Sequence, residues 1–520
     1  MVKNLIARWA IALTIASVVA LPTFGQGLVE VVYATPHDVT TMEPTQVSGW
    51  MDHTATLAVF GSLVFNFDGV TGEPGYYPFL AEVFEPIDDL TWLVKLREGM
   101  TFHNGAPLNA EALKFSLERV THEEFPSGRY MHNAPIDRVE VIDEYTAHIH
   151  TSSPIAILHA RVIRADGYVV EPGHYADDPP WNRTEDTAWD PVGAGPFVFV
   201  EHRPDDRLIL DVFDDFIDPR GYERPNWDRL VLRVIPETST LITEVLQGNV
   251  DIAPITSDMI PVIEAAPGVR VVAGPDTTRI AFMINQNAHE ALADKRVRQA
   301  INYAIDIEEL LDALTGGFGV RIPTHVNPPN HHPDLAPYPY DPERARALLE
   351  EAGWGDGFQI NIDWSVPSDV GRVAEAMVPY LEAVGIRVGE VRELDWGSVY
   401  IPRQTEGTLS GLHGHGHGGV EMTPETDLWT YHPDRTTNST NWEGAEADQF
   451  RDLYTQLQAA VDPTRQQELN YALQELWYEE ALGVTFWQAP RFMAVSDRIE
   501  HFIPYPGGHN EDFWTIRVRE

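Results

Sequence analysis

The chain of 520 residues contains no cysteine. That absence excludes disulfides, thiolate metal sites, a cysteine nucleophile and a lipid-modified cysteine anchor together. Lysine is scarce too: Lys3, Lys95, Lys114 and Lys295 are the only four, so nearly all of the 36 cationic side chains are arginine. Against them stand 79 acids, for a net charge of −43. Such a surface repels polyanions, which argues against nucleic acid and anionic membrane as partners. The acid excess fits a protein kept soluble by charge in a salty or exposed compartment. It fits a genome rich in arginine codons equally well, and neither reading identifies a ligand.

Also missing are a Gly-x-Ser-x-Gly elbow, a His-Glu-x-x-His pair and a phosphate-binding loop. Two carboxylates at a suitable separation could hydrolyse a glycoside. With 79 acids, however, chance pairs are expected, so a pair alone argues nothing. The chain reads as a non-enzyme without a cofactor, and a secreted carboxylate-dependent hydrolase is the remote alternative.

What is present is enough apolar material for a large core: 43% of residues are hydrophobic. At roughly 100–200 residues per domain, the length fits about three domains or one large split one. The apolar run Ala10–Leu21 follows the cationic Lys3 and Arg8 and is broken by Pro22. It falls short of the roughly 20 apolar residues a membrane-spanning helix needs. Met1–Gly27 therefore reads as a secretory signal, and no later stretch is long enough to span. The mature protein is expected to be soluble, exported and periplasmic, and not a lipoprotein.

Strand and helix signals alternate along the chain, which predicts an α/β or α+β class with mixed sheets flanked by helices. Leu28–Ala34 and Thr91–Arg97 alternate apolar and polar residues, as strands do. Glu98-Gly99 and Asn104-Gly105 read as turns, and Asn109 caps a helix with the stripe Leu113, Leu117 and Val120. Further helices are expected over Lys295–Ala304, over Ile307–Leu314 after the Asp306/Glu309 capping box, over the stretch that Asp341 and Pro342 open and Gly353 closes, and over Gln466–Glu480. The proline-rich stretches Glu171–Pro180 and Pro323–Pro339 read as connections.

Leu90–Val120 (LTWLVKLREGMTFHNGAPLNAEALKFSLERV) closely resembles the signature of the family 5 extracellular solute-binding proteins. These are the oligopeptide-, dipeptide- and nickel-binding proteins of ABC importers. Pro191–Val200 (PVGAGPFVFV) resembles the family's Gly-x-Gly-Pro strand, and Leu241–Ala253 (LITEVLQGNVDIA) its helix, turn and strand. Asp294–Asp306 (DKRVRQAINYAID) and Asp341–Gly353 (DPERARALLEEAG) resemble two family helices, and Val384-Gly385-Ile386 its Gly-Ile turn. The matches fall in the family's order over nearly all of the mature chain. The resemblance implies a two-lobed, periplasmic-binding-protein-like fold of type II with an extra domain and discontinuous domains. Carried onto this chain, lobe I comprises 28–65, 190–276 and 490–520, the extra domain 66–189, and lobe II 277–489. The resemblance also implies a monomer that delivers its ligand to ABC permease subunits.

Ligand contacts are expected from loops facing the cleft. In Thr40–His53, Trp50 and His53 are the candidates, although Trp50 can equally serve the core. Met42-Glu43-Pro44 stands where the family has Asp-Pro. A second loop, Asp395–Tyr400, offers Trp396 and Tyr400. The third, Gly411–Glu421 (GLHGHGHGGVE), is the most distinctive. Peptide binders of the family place an aspartate there for the ligand's α-ammonium. This chain has Glu421 and, instead of an aromatic stretch, His413, His415 and His417 between glycines. Glutamate can bind an ammonium by a charge-assisted hydrogen bond, but its extra methylene moves the carboxylate. Three alternating histidines could instead ligate a transition metal or a metal chelate; on a strand they share a side, and on a loop they need not. The plainer reading is a loop whose imidazoles bond a polar ligand or water. Trp487, on a late strand, is the remaining candidate. The first expectation for the ligand is a short peptide, followed by a metal chelate and then an oligosaccharide.

Overall fold

The computed structural model describes residues 28–47, 49–121, 134–163, 167–175, 187–327, 330–365, 369–417, 423–435, 440–505 and 511–519. The expected strand at the start of the mature chain forms over Glu30–Thr35, and the second alternating stretch over Thr91–Leu96. Helices form over Ala110–Thr121, Lys295–Ala304, Ile307–Thr315 and Pro342–Glu351. Their caps work as the sequence signals predict. The Asn109 side chain accepts from the Ala112 N–H at 3.0 Å, and the Asp306 carboxylate from the Glu309 N–H at 3.0 Å. The last long helix starts earlier than its apolar stripe, at Pro463, because Asp462 caps it and Pro463 occupies its first turn. The proline-rich Pro323–Pro339 forms no helix or strand among the described residues, whereas Pro172–Tyr175 is a short helix.

The main sheet has ten strands. From one edge the order is Ile386–Glu393, Phe358–Ser365, Leu412–His417, Val269–Ile284, Gly483–Ser496, Ile252–Ile255, Glu30–Thr35, Arg229–Val234, Arg207–Val212 and Phe197–Arg203. Pairing is mixed: Glu30–Thr35 runs parallel to both neighbours, while the two long central strands run antiparallel. A second sheet of four antiparallel strands has the order Ala81–Asp88, Thr91–Leu96, Thr146–Thr151 and Ile136–Val141. No described helix is long and apolar enough to cross a membrane.

The two central strands each feed different cores at their two ends. Val269 packs with Ala34, Val245 and Ala494, whereas Ile280, Phe282 and Ile284 pack with Val297, Ile301 and Ile362. On the partner strand, Val484, Phe486 and Trp487 join the latter cluster, and Met493 and Val495 join the cluster of Val31 and Tyr33. Between these ends the strand register slips at Ala273/Asp276, Asp276/Thr278 and Ile280/Ala281. Bulges of this kind bend a strand pair and weaken its ladder locally. The cluster around Val31 also runs without a break into the four-stranded sheet, through Trp92, Val94 and Ile149.

The Gly-x-Gly-Pro segment has a packing reason. A Cβ on Gly193 would lie 2.1 Å from the Val59 carbonyl oxygen, and one on Gly195 2.6 Å from the Gly61 nitrogen. Only glycine lets this backbone press against the end of the helix Trp50–Phe60, where the Gly195 N–H donates to Val59 O at 2.9 Å.

Candidate functional site

The first candidate segment is partly helical. Trp50 and His53 lie on the helix Trp50–Phe60, not in a loop. The Asp52 carboxylate starts that helix by accepting from the Gly49 N–H at 3.1 Å, and it ties back the preceding chain through Thr40 N at 2.7 Å. His53 is buried and Trp50 half-buried. The Trp50 ring lies under the Arg491 guanidinium, 5.3 Å from ring centroid to Cζ, which is cation–π range.

Arg491 stands on the second central strand, just past its change of core. It is paired with the buried Glu511 and donates to Tyr33 Oη at 2.7 Å. The Tyr33 hydroxyl donates to Glu511 Oε1 at 3.1 Å, and the Tyr505 N–H to Glu511 Oε2 at 2.9 Å. Burial works against the Arg491 charge, but Tyr33 and Glu511 outweigh it and hold the guanidinium protonated. Burial likewise pushes the Tyr33 hydroxyl well above its ordinary range. The network anchors the crossing strand to both chain ends of the first core.

Trp396 and Tyr400 sit on one turn of π-helix, Trp396–Tyr400, begun by the Asp395 carboxylate accepting from Ser398 N at 2.8 Å. Trp396 is half-buried and stacks on the fully buried Tyr400, with ring centroids 5.4 Å apart. The Tyr400 hydroxyl shares a 2.9 Å hydrogen bond with His413 Nδ1. The histidine segment is a strand, Leu412–His417, in which positions 413, 415 and 417 pair with Met283, Ala281 and Arg279. Strand alternation therefore gives the three positions one face. His413 is fully buried with Nδ1 taken by Tyr400. Its role is to hold this strand against the π-helical turn. The side chains of His415 and His417, and Glu421 altogether, lie outside the described residues.

Trp487 is fully buried among the apolar residues of the second core. Its indole N–H finds no hydrogen-bond partner among the described residues. The backbone beside it is pinned by Val320 N donating to Gln488 O at 2.8 Å and by the reverse bond at 2.9 Å.

Sequence reasoning missed a buried acidic pair directly after the histidine segment. Arg279, pointing from the central strand, pairs with Asp427 at 2.5 Å and donates to His325 O at 2.5 Å. Both side chains are almost wholly buried, and Asp427 also accepts from the Asn327 N–H at 2.9 Å. Glu425, two residues earlier on the helix Pro424–Trp429, is buried, with Oε2 unpartnered among the described residues. Burial pushes its carboxyl up to about 7. The available signal was an arginine opening the otherwise apolar run RIAFMI.

Comparison with known proteins agrees with this architecture. The description "Bacterial extracellular solute-binding proteins, family 5 Middle" matches residues 75–439. The glutathione-binding protein GsiB of Pectobacterium atrosepticum is 25% identical, over 95% of this chain and 93% of its own. The periplasmic binding protein DppA of Helicobacter pylori, solved with the peptide STSA, superposes with a TM-score of 0.80 at 21% identity, over 94% of this chain and 98% of its own. NikA of Brucella suis, solved with Fe(III)-EDTA, superposes at 0.82 with 20% identity, over 94% and 100%. The chain has the two-lobed α/β fold that the resemblance implied, and it belongs to family 5 of the bacterial extracellular solute-binding proteins, which are binders and not enzymes.

Proposed function

We propose that the chain is the exported receptor of an ABC importer, capturing a small polar solute between two lobes and handing it to a membrane permease. Short peptides are the first solute class. The observation that carries this reading is the pair of central strands, each of which changes core midway and slips register there. Two bodies joined by weakened strands form a hinge, and a guest that touches both bodies only when they are closed favours closure by that difference. The reading takes 28–65, 190–276 and 490–520 as lobe I, 66–189 as the extra domain and 277–489 as lobe II. It is supported by the core changeovers, which fall between 272 and 280 and between 487 and 493. The signal Met1–Gly27 is removed and the protein works in the periplasm as a monomer.

In this proposal Trp50 and Trp396, both half-buried, supply apolar walls. His415, His417 and Glu421 supply polar anchors, and His53, Tyr400 and His413 fix the walls from beneath. Trp487 enters through its indole N–H alone, which is unpartnered among the described residues. The glutathione-binding relative and the peptide-bound neighbour support a peptide-like guest. Titration calorimetry with di- to hexapeptides, glutathione and a nickel chelate tests the solute class. Saturable heat with at least one peptide is expected, weakened tenfold or more by Trp396→Ala. Binding of the chelate alone, lost in His415→Ala, would replace peptide by metal chelate.

A further inference from the structure

The four-stranded sheet buries one face. Trp92, Val94, Leu96, Val139, Ala147 and Ile149 all belong to the core cluster that it shares with the first strand. Strand alternation sends the intervening residues to the opposite face. There His148 and His150, two apart on Thr146–Thr151, are presented side by side. Glu140, on the neighbouring strand Ile136–Val141, pairs in register with His148. One ligand atom from each of the three lies within 4.8 Å of the others.

The geometry points to a divalent transition-metal site at Glu140, His148 and His150, of the Zn²⁺, Ni²⁺ or Cu²⁺ class. Two imidazoles and one carboxylate are a donor set for these ions, and a site with three protein ligands keeps a further position for water or another ligand. Bonds of about 2.0–2.2 Å to a shared ion require donor atoms a few ångströms apart, which small rotamer changes here provide. Glu140 Oε2 already stands 2.9 Å from His150 Nε2, so the ion would take the place of the proton between them. Thr91 Oγ1 lies 3.5 Å from His150 Nδ1, positioned as an outer partner that orients the ring. The histidines are half-buried, so the site opens to solvent on one side. The nearest cation on the same strand as Glu140, Arg138, leans on Asp137 at 3.3 Å. Net charge −43 raises the local concentration of any cation.

The site is separate from the histidine segment 413–417 and from the central strands, so it does not depend on the solute proposed above. The test is equilibrium dialysis of the mature protein against Zn²⁺, Ni²⁺ and Cu²⁺ at pH 7.5, with thermal melts of the same samples. Wild type is expected to bind one ion per chain with a raised melting temperature. His148→Ala and His150→Ala should each weaken that binding tenfold or more while melting like wild type without metal, and Glu140→Gln should weaken it less. His415→Ala should retain the ion. The proposal is overturned if wild type binds no ion up to about 0.1 mM, the range of the weakest extracellular metal sites. It is equally overturned if the His148→Ala and His150→Ala double variant binds as wild type does.

Discussion

Arg491→Ala is expected to lower the unfolding free energy by about 3–5 kcal/mol, the cost of stranding the buried partner of an ion pair. Among the described residues, Glu511 would keep the Tyr33 hydroxyl and the Tyr505 N–H, in a site from which solvent is excluded. Trp50 would lose the cation over its ring. The double variant Arg491→Met with Glu511→Leu removes both charges and should regain most of the loss, because the strain lies in an unpaired charge and not in missing volume. Urea unfolding followed by tryptophan fluorescence measures both. A loss below about 1 kcal/mol in the single variant, in the range of an exposed pair, would show that Glu511 is not held in a dry site.

The second large effect depends on pH. Burial raises the Glu425 carboxyl from 4.5 to about 7, so the folded chain binds this proton more tightly than the unfolded chain. Its penalty is absent below pH 4.5, grows as pH climbs and is complete above about 7. The shift corresponds to roughly 2–4 kcal/mol of stability lost across that window. Glu425→Gln cannot ionise and should flatten that limb. The variant is expected to be more stable than wild type at pH 8 and close to it at pH 4.5. Denaturation midpoints at half-unit steps from pH 4.5 to 8 test this. A difference between the two proteins that stays constant with pH would assign Glu425 an ionised state throughout.

Local grammar was legible in the sequence. Asp306 and Asp341 marked helix starts, and Thr91–Leu96 declared itself by alternation, because these signals act over a few residues. The same grammar operates at Asp462-Pro463, where the apolar stripe begins three residues later and so hides the helix start. From sequence Trp50 reads as loop, because the capping residue Asp52 lies inside the helix and reaches back to Gly49. The site was less legible, since its contacts join distant stretches. Arg279 meets Asp427, and Tyr33 meets both Arg491 and Glu511; no spacing rule links such positions. The histidine segment gave its period but not its burial. The strand puts His413 on Tyr400, a contact that follows only once the π-helical turn folds under the sheet.

Under the proposed function, two bodies close on a guest about the slipped middle of the central strands. Small-angle X-ray scattering tests it most directly, on mature protein stripped of endogenous solute and then saturated with the tightest-binding solute of the calorimetric panel. A fall in radius of gyration on saturation is the expected result. An identical scattering curve with and without a guest known to be bound would rule out closure.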